Sequence, residues 1–542
     1  MKSIYILLLF SCVSACTKSP VISEPLNFRR YTIDGTESDQ NYFNATLKPN
    51  ITVHFSAPID KSTMGNAIRL YSDGTVVPIA LSLFNSDSTV LLHPEHELGF
   101  LMKYVLEINE QLKSKAGSEL SSAIQPTFIT RLDSTDKFPR VPDEELLTLI
   151  QKQTFKYFWD FGHPVSGLAR ERNTSGDLVT SGGSGFAVMA ILVGIERGFI
   201  SRQEGLDRLV RITDFLQNKA KRYHGVFPHW LNGVTGETIP FSQKDDGGDL
   251  VETSYLIAGL LTVKEYFNGS DPKENNLRKT ITGIWEAVEW DWHTKGMENV
   301  LYWHWSPNYN WEMNHALRGW TEALITYVLA ASSPTHPISK AVYDIGWASN
   351  GGMKNNKSFY GIPLPLGPDY GGPLFFAHYT FLGIDPRMLK DNYADYWTQQ
   401  VNHSKINYSY CVTNPRRFNG YSASCWGLTA SDNKTGYSAH SPTNDRGVIS
   451  PTAALSSIHY TPEESMKALR FFYYTLGDKL FKQYGFVDAF SLSEPWFANS
   501  FLAIDQGPII IMMENHRTGL LWEHTMKNAH IRSGLTKLGF SY

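Results

Sequence analysis

The stretch Lys244–Leu261, KDDGGDLVETSYLIAGLL, decides the fold of most of this chain. Four carboxylates (Asp245, Asp246, Asp249 and Glu252) surround a Gly-Gly turn, and an apolar run follows at once. Residues 254–262 are apolar almost all round, as are residues 186–195, and such helices are buried on every side rather than laid on a surface. Helices of this kind predict an inner ring, with acidic residues at the mouth where the ring helices begin. Asp249-x-x-Glu252 has two readings. It is close to a capping box, with Asp249 as cap and Glu252 reaching back to the cap N–H. Alternatively, Asp249 is the cap and Glu252 is a proton-transfer group facing an enclosed cleft. A helix N-terminus favours the ionised carboxylate, so an acid at Glu252 needs burial, or crowding by Asp245, Asp246 and Asp249, to keep its proton.

The helical period continues on both sides. DEELLTLIQKQTFKYFWDF (143–161) places Leu147, Ile150, Thr154, Phe155 and Phe158 on one face. SGFAVMAILVGIERG (184–198) has Ser184 as a start and Gly198 as a stop. Further helical runs lie near 202–219, 249–267, 277–290, 312–331, 338–348, 386–400, 463–482, 497–514 and 518–537. Long loops rich in Gly, Trp, Tyr and Asn (296–311, 350–376, 403–450) separate them, and loops of that length in a compact domain are usually functional. The pattern predicts an all-α (α/α)6 toroid over residues 143–542. An α-solenoid is the alternative, but no fixed repeat period is visible.

Toward the N-terminus the period changes. Alternation in Ile51-Thr52-Val53-His54-Phe55, a turn at Asp73-Gly74, and runs at Val90–Leu92 and Tyr104–Ile108 predict a small all-β sandwich over 27–132. HFSAPIDKSTM (54–64), LLHPEHEL (91–98) and YVLEINEQLKSKAG (104–117) resemble the bacterial Ig-like family often called SbsA-like. A charged, Pro-containing linker spans 133–142. MKSIYILLLFSCVSAC has one Lys and an apolar run too short to span a membrane, so residues 1–15 read as an export signal. Val13-Ser14-Ala15-Cys16 resembles a bacterial lipobox, which implies lipidation of Cys16, a tether over 16–26, and an outer-membrane lipoprotein with the periplasmic face favoured over the cell surface. Ordinary signal cleavage elsewhere is the alternative.

The 542-residue chain carries a net charge of −4 and no basic runs, which excludes nucleic acid as the evident partner. It has 14 Trp, 27 Tyr and 30 Phe; these fit either a large core or flat faces for sugar rings. After signal removal Cys411 and Cys425 remain, either as a disulfide or as two unrelated buried thiols. No His/Cys/Asp set has metal-ligand spacing, no GxSxG elbow occurs, and Gly182-Gly183-Ser184-Gly185 lacks the Lys and the preceding strand of a phosphate cradle. No cofactor or metal is expected.

FKYFWDFGHPVSGLARER (155–172), SGGSGFAVMAILVGIERGFISR (181–202), GVFPHWLNG (225–233), the 244–261 stretch and AIDQGPIIIMMENHRTGLLW (503–522) resemble the glucoamylase-like family of Bacteroidetes, which includes the endo-β-1,2-glucanases of glycoside hydrolase family 144. The resemblance implies an (α/α)6 fold and metal-independent, inverting hydrolysis. Inversion needs a protonated acid at the leaving oxygen and a carboxylate that activates water on the opposite face. Glu252 is the expected acid, and the family's acid falls in this segment. Asp432 is the first candidate for the base and Asp505 the next, acting through water, with Asp445 and Glu514 also weighed. Candidate substrate-binding residues are Trp159, Asp160 and Arg170 in the SGLARER region, the aromatic loop of Trp303, Trp305, Tyr309 and Trp311, then Trp426 and Tyr437, with Asp249 and Glu514 as carboxylate partners for hydroxyls. The expected function is hydrolysis of β-1,2-glucan or its oligosaccharides by a monomer. The alternatives are an exo-acting enzyme releasing sophorose, an α-glucan glucoamylase, or a carbohydrate-binding lipoprotein without chemistry.

Overall fold

The alternation at Ile51–Phe55 becomes a strand in which Ile51, Val53 and Phe55 are buried and Thr52 and His54 are half-buried. The structure, a computed structural model, describes residues 25–37 and 41–542. The signal segment and Cys16 lie outside those residues. The chain divides into two units at Asp133/Ser134.

The first unit holds ten strands among the described residues: β1 (Phe28–Ile33), β2 (Thr36–Glu37), β3 (Asn41–Ala45), β4 (Ile51–Phe55), β5 (Ile68–Ser72), β6 (Thr75–Val77), β7 (Ile79–Phe84), β8 (Thr89–Pro94), β9 (Lys103–Ile108) and β10 (Thr127–Thr130). They form two five-stranded sheets, ordered β2-β1-β4-β8-β7 and β3-β10-β9-β5-β6. All neighbours pair antiparallel except β3 with β10. Inward positions such as Val53, Leu70, Leu92 and Leu106 make one apolar core. Asp73 and Gly74 join β5 to β6 with φ of 47° and 76°, the left-handed pair that a tight two-residue hairpin requires.

The second unit is largely helical. Three of its longest apolar helices, Ser181–Glu196, Leu250–Tyr266 and Ala503–Arg517, are buried along most of their length. The first packs against the other two, the second also meets Leu324–Ser332, and the third meets Pro451–Ser456. Amphipathic helices lie outside them. Asp143–Trp159 covers Ser181–Glu196 and Ala503–Arg517, while Arg202–Asn218 packs on Pro272–Glu286. Ser201 and Glu204 form a full capping box at the start of Arg202–Asn218.

The Ser181–Glu196 and Leu250–Tyr266 helices cross in backbone contact. A Cβ on Gly185 would lie 2.2 Å from the Tyr255 carbonyl oxygen, and one on Gly259 would lie 2.2 Å from the Gly185 carbonyl oxygen. Neither position admits any side chain, so the Gly-rich 181–185 run is a packing feature.

Several helical expectations need correction. The helix placed at 386–400 begins only at Tyr396, capped by the Asp395 side chain, and runs to Thr413. Its buried face interleaves Gln399, Gln400, His403 and Asn407 with Tyr396, Ile406, Tyr410 and Cys411, so the apolar period is broken. Residues 463–482 split into Pro462–Arg470, a π-helical turn over Phe471–Thr475, and Gly477–Leu480. The 312–331 run shortens to Leu324–Ser332. Cys411 and Cys425 are separate buried thiols.

Candidate active site

Two short strands build the mouth, one leading to the donors of Glu252 and the other to Asp249 and Glu252 themselves. Leu178–Thr180 leads into the Ser181–Glu196 helix, and Gly248–Asp249 leads into Leu250–Tyr266. Gly248–Asp249 pairs antiparallel with His304–Trp305, which brings the aromatic 303–305 segment beside the acidic turn. At this mouth lies a cavity of about 480 Å³ lined by Glu252, Glu322, His229, Glu171, Arg172, Trp303, Tyr379 and Tyr437, among others.

Asp249 is fully buried and its carboxylate is occupied on both sides. Oδ1 accepts the Glu252 N–H at 2.9 Å and the Trp303 indole N–H at 2.8 Å, and Oδ2 accepts from His229 Nδ1 at 3.0 Å. Burial opposes its charge, but the His229 hydrogen bond and charge outweigh burial and hold its pKa below the usual value. Glu252 does not complete a capping box, because the Asp249 N–H donates to the Phe227 carbonyl oxygen instead. Its Oε2 accepts from the Gly182 N–H at 2.9 Å and from the Thr180 hydroxyl at 3.4 Å. A Cβ on Gly182 would stand 2.2 Å from that oxygen, so glycine makes room for the acid. Burial first, and then the Asp249 charge, raise the Glu252 pKa against the opposing charge of His229. Burial and a pKa pushed upward are the features a general acid requires.

Other groups at the mouth also titrate far from their usual range. Burial lowers His229, yet Glu252, Asp249 and Asp245 together raise it to about 9. Burial, helped by Asp249, lifts Asp245 to about 7. Glu322 rises to about 7, mainly through burial with contributions from Glu252 and Asp249. His304 falls to about 4 through burial. The fold also gathers His229, Asp245 and Asp249 with ligand atoms within 4.8 Å of one another. No metal-ligand spacing is visible in the sequence, because His229 comes from a separate segment and only the fold brings it beside Asp245 and Asp249. In the structure His229 and Asp249 serve each other as an ion pair.

A second acidic group lies across Arg172. Its guanidinium reaches Glu171 Oε2 at 2.9 Å and Asp432 Oδ2 at 3.3 Å, and the Ser500 hydroxyl donates to the same Asp432 oxygen at 2.6 Å. Asp432 and Arg172 also line an adjoining cavity of about 400 Å³ with Trp496 and Asn433. Asp432 is held from behind, since its N–H donates to Asp488 Oδ2 at 2.6 Å. Asp488 in turn shares a hydrogen bond with Asp505. Burial and the neighbouring charge raise Asp505, and burial lifts Asp488 to about 7. Asp505 thus lies behind Asp488 and lines neither cavity.

Trp303 and Tyr437 line the main cavity, as the sequence suggests. Trp305 packs edge-on against His224 and Trp292, and Trp311 packs on Trp292, His293 and Tyr302. The Tyr309 hydroxyl receives Gln243 Nε2 at 3.4 Å outside the cavity. Five candidates are placed elsewhere. Trp159 stacks on Phe155 beneath Arg208, with Asp160 beside it. Arg170 donates to the Gly176 and Phe161 carbonyl oxygens and covers the Phe161 ring. Trp426 is fully buried and donates to the Glu464 carbonyl oxygen. Glu514 is bonded by Arg197 at 2.6 and 2.8 Å near the far end of the helix from Asp505. None of the five lines either cavity, and all but the exposed Asp160 are held by packing, backbone hydrogen bonds or an ion pair. Asp445 is bonded by the Tyr410 and Tyr421 hydroxyls.

Sequence reasoning missed Arg172, Glu322 and Asp488 as site residues. Glu322 carries the signal already used for Glu252, an acid just before an apolar helix. Asp488, in Phe486-Val487-Asp488-Ala489-Phe490, is a lone acid in an apolar run, which must be neutral or partnered.

The family model described as "Putative glucoamylase" matches residues 314–529, and that of the bacterial Ig-like domain matches residues 30–130. Over 419 residues the chain is 45% identical to an exo β-1,2-glucooligosaccharide sophorohydrolase (non-reducing end) of Parabacteroides distasonis, covering 73% of this chain and 58% of the relative. The chain thus spans somewhat over half the length of that curated relative. The solved structure of an endo-β-1,2-glucanase from Chitinophaga pinensis, in complex with sophorotriose and glucose, is 52% identical with a TM-score of 0.73; the match covers 74% of this chain and 99% of that one. A β-1,2-glucanase structure from Parabacteroides distasonis is 36% identical with a TM-score of 0.72, covering 94% of this chain and 73% of that one. With an Ig-like domain at its N-terminal end and these relatives along its helical unit, the chain belongs to the glucoamylase-like family.

Proposed function

We propose that the protein is an inverting glycoside hydrolase that cleaves β-1,2-linked glucan within the chain, with its helical unit closed as an (α/α)6 toroid. The observation that carries this reading is Glu252: a buried carboxyl with a raised pKa, lining the cavity and released from helix capping. Glu252 gives its proton to the glycosidic oxygen as the bond to the anomeric carbon breaks. A water attacks that carbon from the opposite face, and its proton passes to Asp432, directly or through an intervening water. Arg172 and Ser500 hold the Asp432 carboxylate in place at the second cavity. Because Arg172 lines both cavities, the cleft extends past the reacting centre, which favours endo over exo action. The relatives named above, which are β-1,2-glucan-degrading proteins, support the linkage. No step uses the His229, Asp245 and Asp249 group as a metal site.

Product analysis on linear β-1,2-glucan, with laminarin, cellulose and starch as controls, tests the proposal. A polydisperse ladder from the β-1,2-glucan alone is expected. Sophorose as the sole product would replace endo with exo action, and cleavage of none of the four would overturn the enzyme reading. We also propose that Cys16 carries a lipid anchor holding the protein at the periplasmic face of the outer membrane, where it acts as a monomer. Metabolic labelling with a fatty-acid analogue should mark the native chain and leave Cys16→Ser unmarked.

A further inference from the structure

A third cavity, sharing no lining residue with the one that contains Glu252, surrounds Trp292. It has a volume of about 580 Å³, and Trp292 lines it together with Met297, Glu289, Asp291 and Glu298. Trp292 is 39% exposed and Met297 is 91% exposed. The Trp292 ring does not move freely. His224 stacks on it with ring centroids 3.8 Å apart and planes 13° from parallel, and the Trp305 edge abuts both rings. Glu289 bonds His224 Nδ1 at 3.0 Å, which fixes the stacking partner in turn. Trp311 packs at a tilt on the same ring, and the outcome is a rigid, partly exposed indole flanked by three carboxylates, of which Asp291 also accepts from His336 and Glu298 from the Tyr302 hydroxyl, each on one oxygen.

A rigid exposed ring beside carboxylates suits one ligand class. The C–H face of a pyranose lies on an aromatic plane, while its hydroxyls donate to carboxylate oxygens at the rim. A protein partner would need a wider exposed apolar face than Trp292, Met297 and Pro337 supply, since Ile338 and Val342 at the floor are buried. An anionic or lipid ligand would meet three like charges.

We propose that Trp292 and its flanking carboxylates form a non-catalytic surface site that holds a neutral β-glucan chain. The inference rests on the hydrolase reading above, since that reading supplies the glucan. The site is joined to the catalytic mouth by contiguous structure. Trp305, which abuts Trp292, pairs with Gly248 immediately before Asp249. A long chain held at Trp292 would thus be kept near the cleft, whereas a short oligosaccharide gains nothing from the platform.

The test is affinity electrophoresis of the full chain in gels containing linear β-1,2-glucan, in a Glu252→Gln background that prevents hydrolysis. Adding Trp292→Ala should weaken retardation at least fivefold, and adding Trp292→Phe should restore much of it. In the active chain, Trp292→Ala should lower the ratio of kcat/KM on the polymer to that on a β-1,2-linked tetrasaccharide at least threefold. Far-UV circular dichroism and thermal unfolding confirm the fold of each variant, and Glu298→Gln gives a second, independent perturbation of the rim. Equal migration with and without Trp292, or an unchanged ratio, overturns the inference. A native chain that cleaves no β-1,2-glucan overturns the hydrolase reading instead, and gels cast with laminarin then still measure whether Trp292 binds glucan.

Discussion

The Asp249 side chain accepts the Glu252 N–H, while the Asp249 N–H donates to Phe227 and leaves Glu252 without a capping role. A reciprocal capping box would have engaged both carboxylates at the helix end. The division assigns one to structure and the other to the cavity, and the two are separable by mutation.

Glu252→Gln should lower kcat on β-1,2-glucan by about 10³-fold, within the range for losing a general acid. The amide keeps the Oε2-like acceptor toward Gly182, so the melting temperature should shift by no more than about 2 °C. Reducing-sugar release and differential scanning fluorimetry on the same preparation decide it. A variant that unfolds yet retains turnover would return Glu252 to a structural role.

Asp249→Asn should act through stability. It weakens the cap and leaves protonated His229 without its ion-pair partner, a change worth about 3 kcal/mol when a buried pair is broken from one side. Urea denaturation should show a larger loss for Asp249→Asn than for Glu252→Gln.

Gly182→Ala places a methyl group where Glu252 Oε2 now lies. The φ at Gly182 is not left-handed, so the helix itself tolerates alanine. The expected result is a fall in kcat of about 10²-fold from displacement of the acid, with circular dichroism unchanged. A crystal structure of the variant would show the Glu252 side chain rotated.

Stability should decline as pH rises from about 5 to 9. His229 is raised to about 9 in the folded state, so its stabilisation is complete below the unfolded value near 6.5 and is lost as pH passes upward through 9. Asp245 and Glu322, lifted to about 7, are neutral when folded and ionised when unfolded near neutrality, which tilts the balance the same way. Asp249 works in the opposite sense: its lowered pKa adds stability above the unfolded value that disappears in acid. Melting temperatures across this range should fall for the native chain and fall less between 6.5 and 9 for His229→Gln. Activity should decline on the alkaline side as Glu252 loses its proton.

Dialysis against a strong chelator should leave turnover within about twofold, because His229 already occupies Asp249 as an ion-pair partner and a metal would have to displace its proton. Loss of activity restored by a divalent cation would place an ion among His229, Asp245 and Asp249.

Much of this organisation was legible because apolar runs and strand alternation are local signals. Leu250–Tyr266 and Ser181–Glu196 announce their burial through composition alone, and Asp73-Gly74 announces its hairpin. The Tyr396–Thr413 helix was displaced because amides and an imidazole interrupt the apolar residues of its buried face. The site was legible only on one side. Glu252 sits in a local pattern with its own cap, but Asp432 gains its role from Arg172, 260 residues earlier, and from Asp488, 56 residues later. Glu514 misled because an acid in an apolar helix suggests chemistry, and only the fold shows Arg197 satisfying it. Trp426 misled for the related reason that a loop tryptophan and a core tryptophan look alike in sequence.

The contact between Gly185 and Gly259 has a consequence for how such a protein can diversify. Because two main chains touch there, the acid's height above the floor is set by backbone against backbone, with no side-chain volume to drift. Loops bearing Trp303, Tyr437 or Trp496 can lengthen, shorten or trade aromatics, and so admit new sugars or block one end of the groove. Glu252 would stay at a fixed reference point throughout, and a new specificity would require only a rebuilt rim.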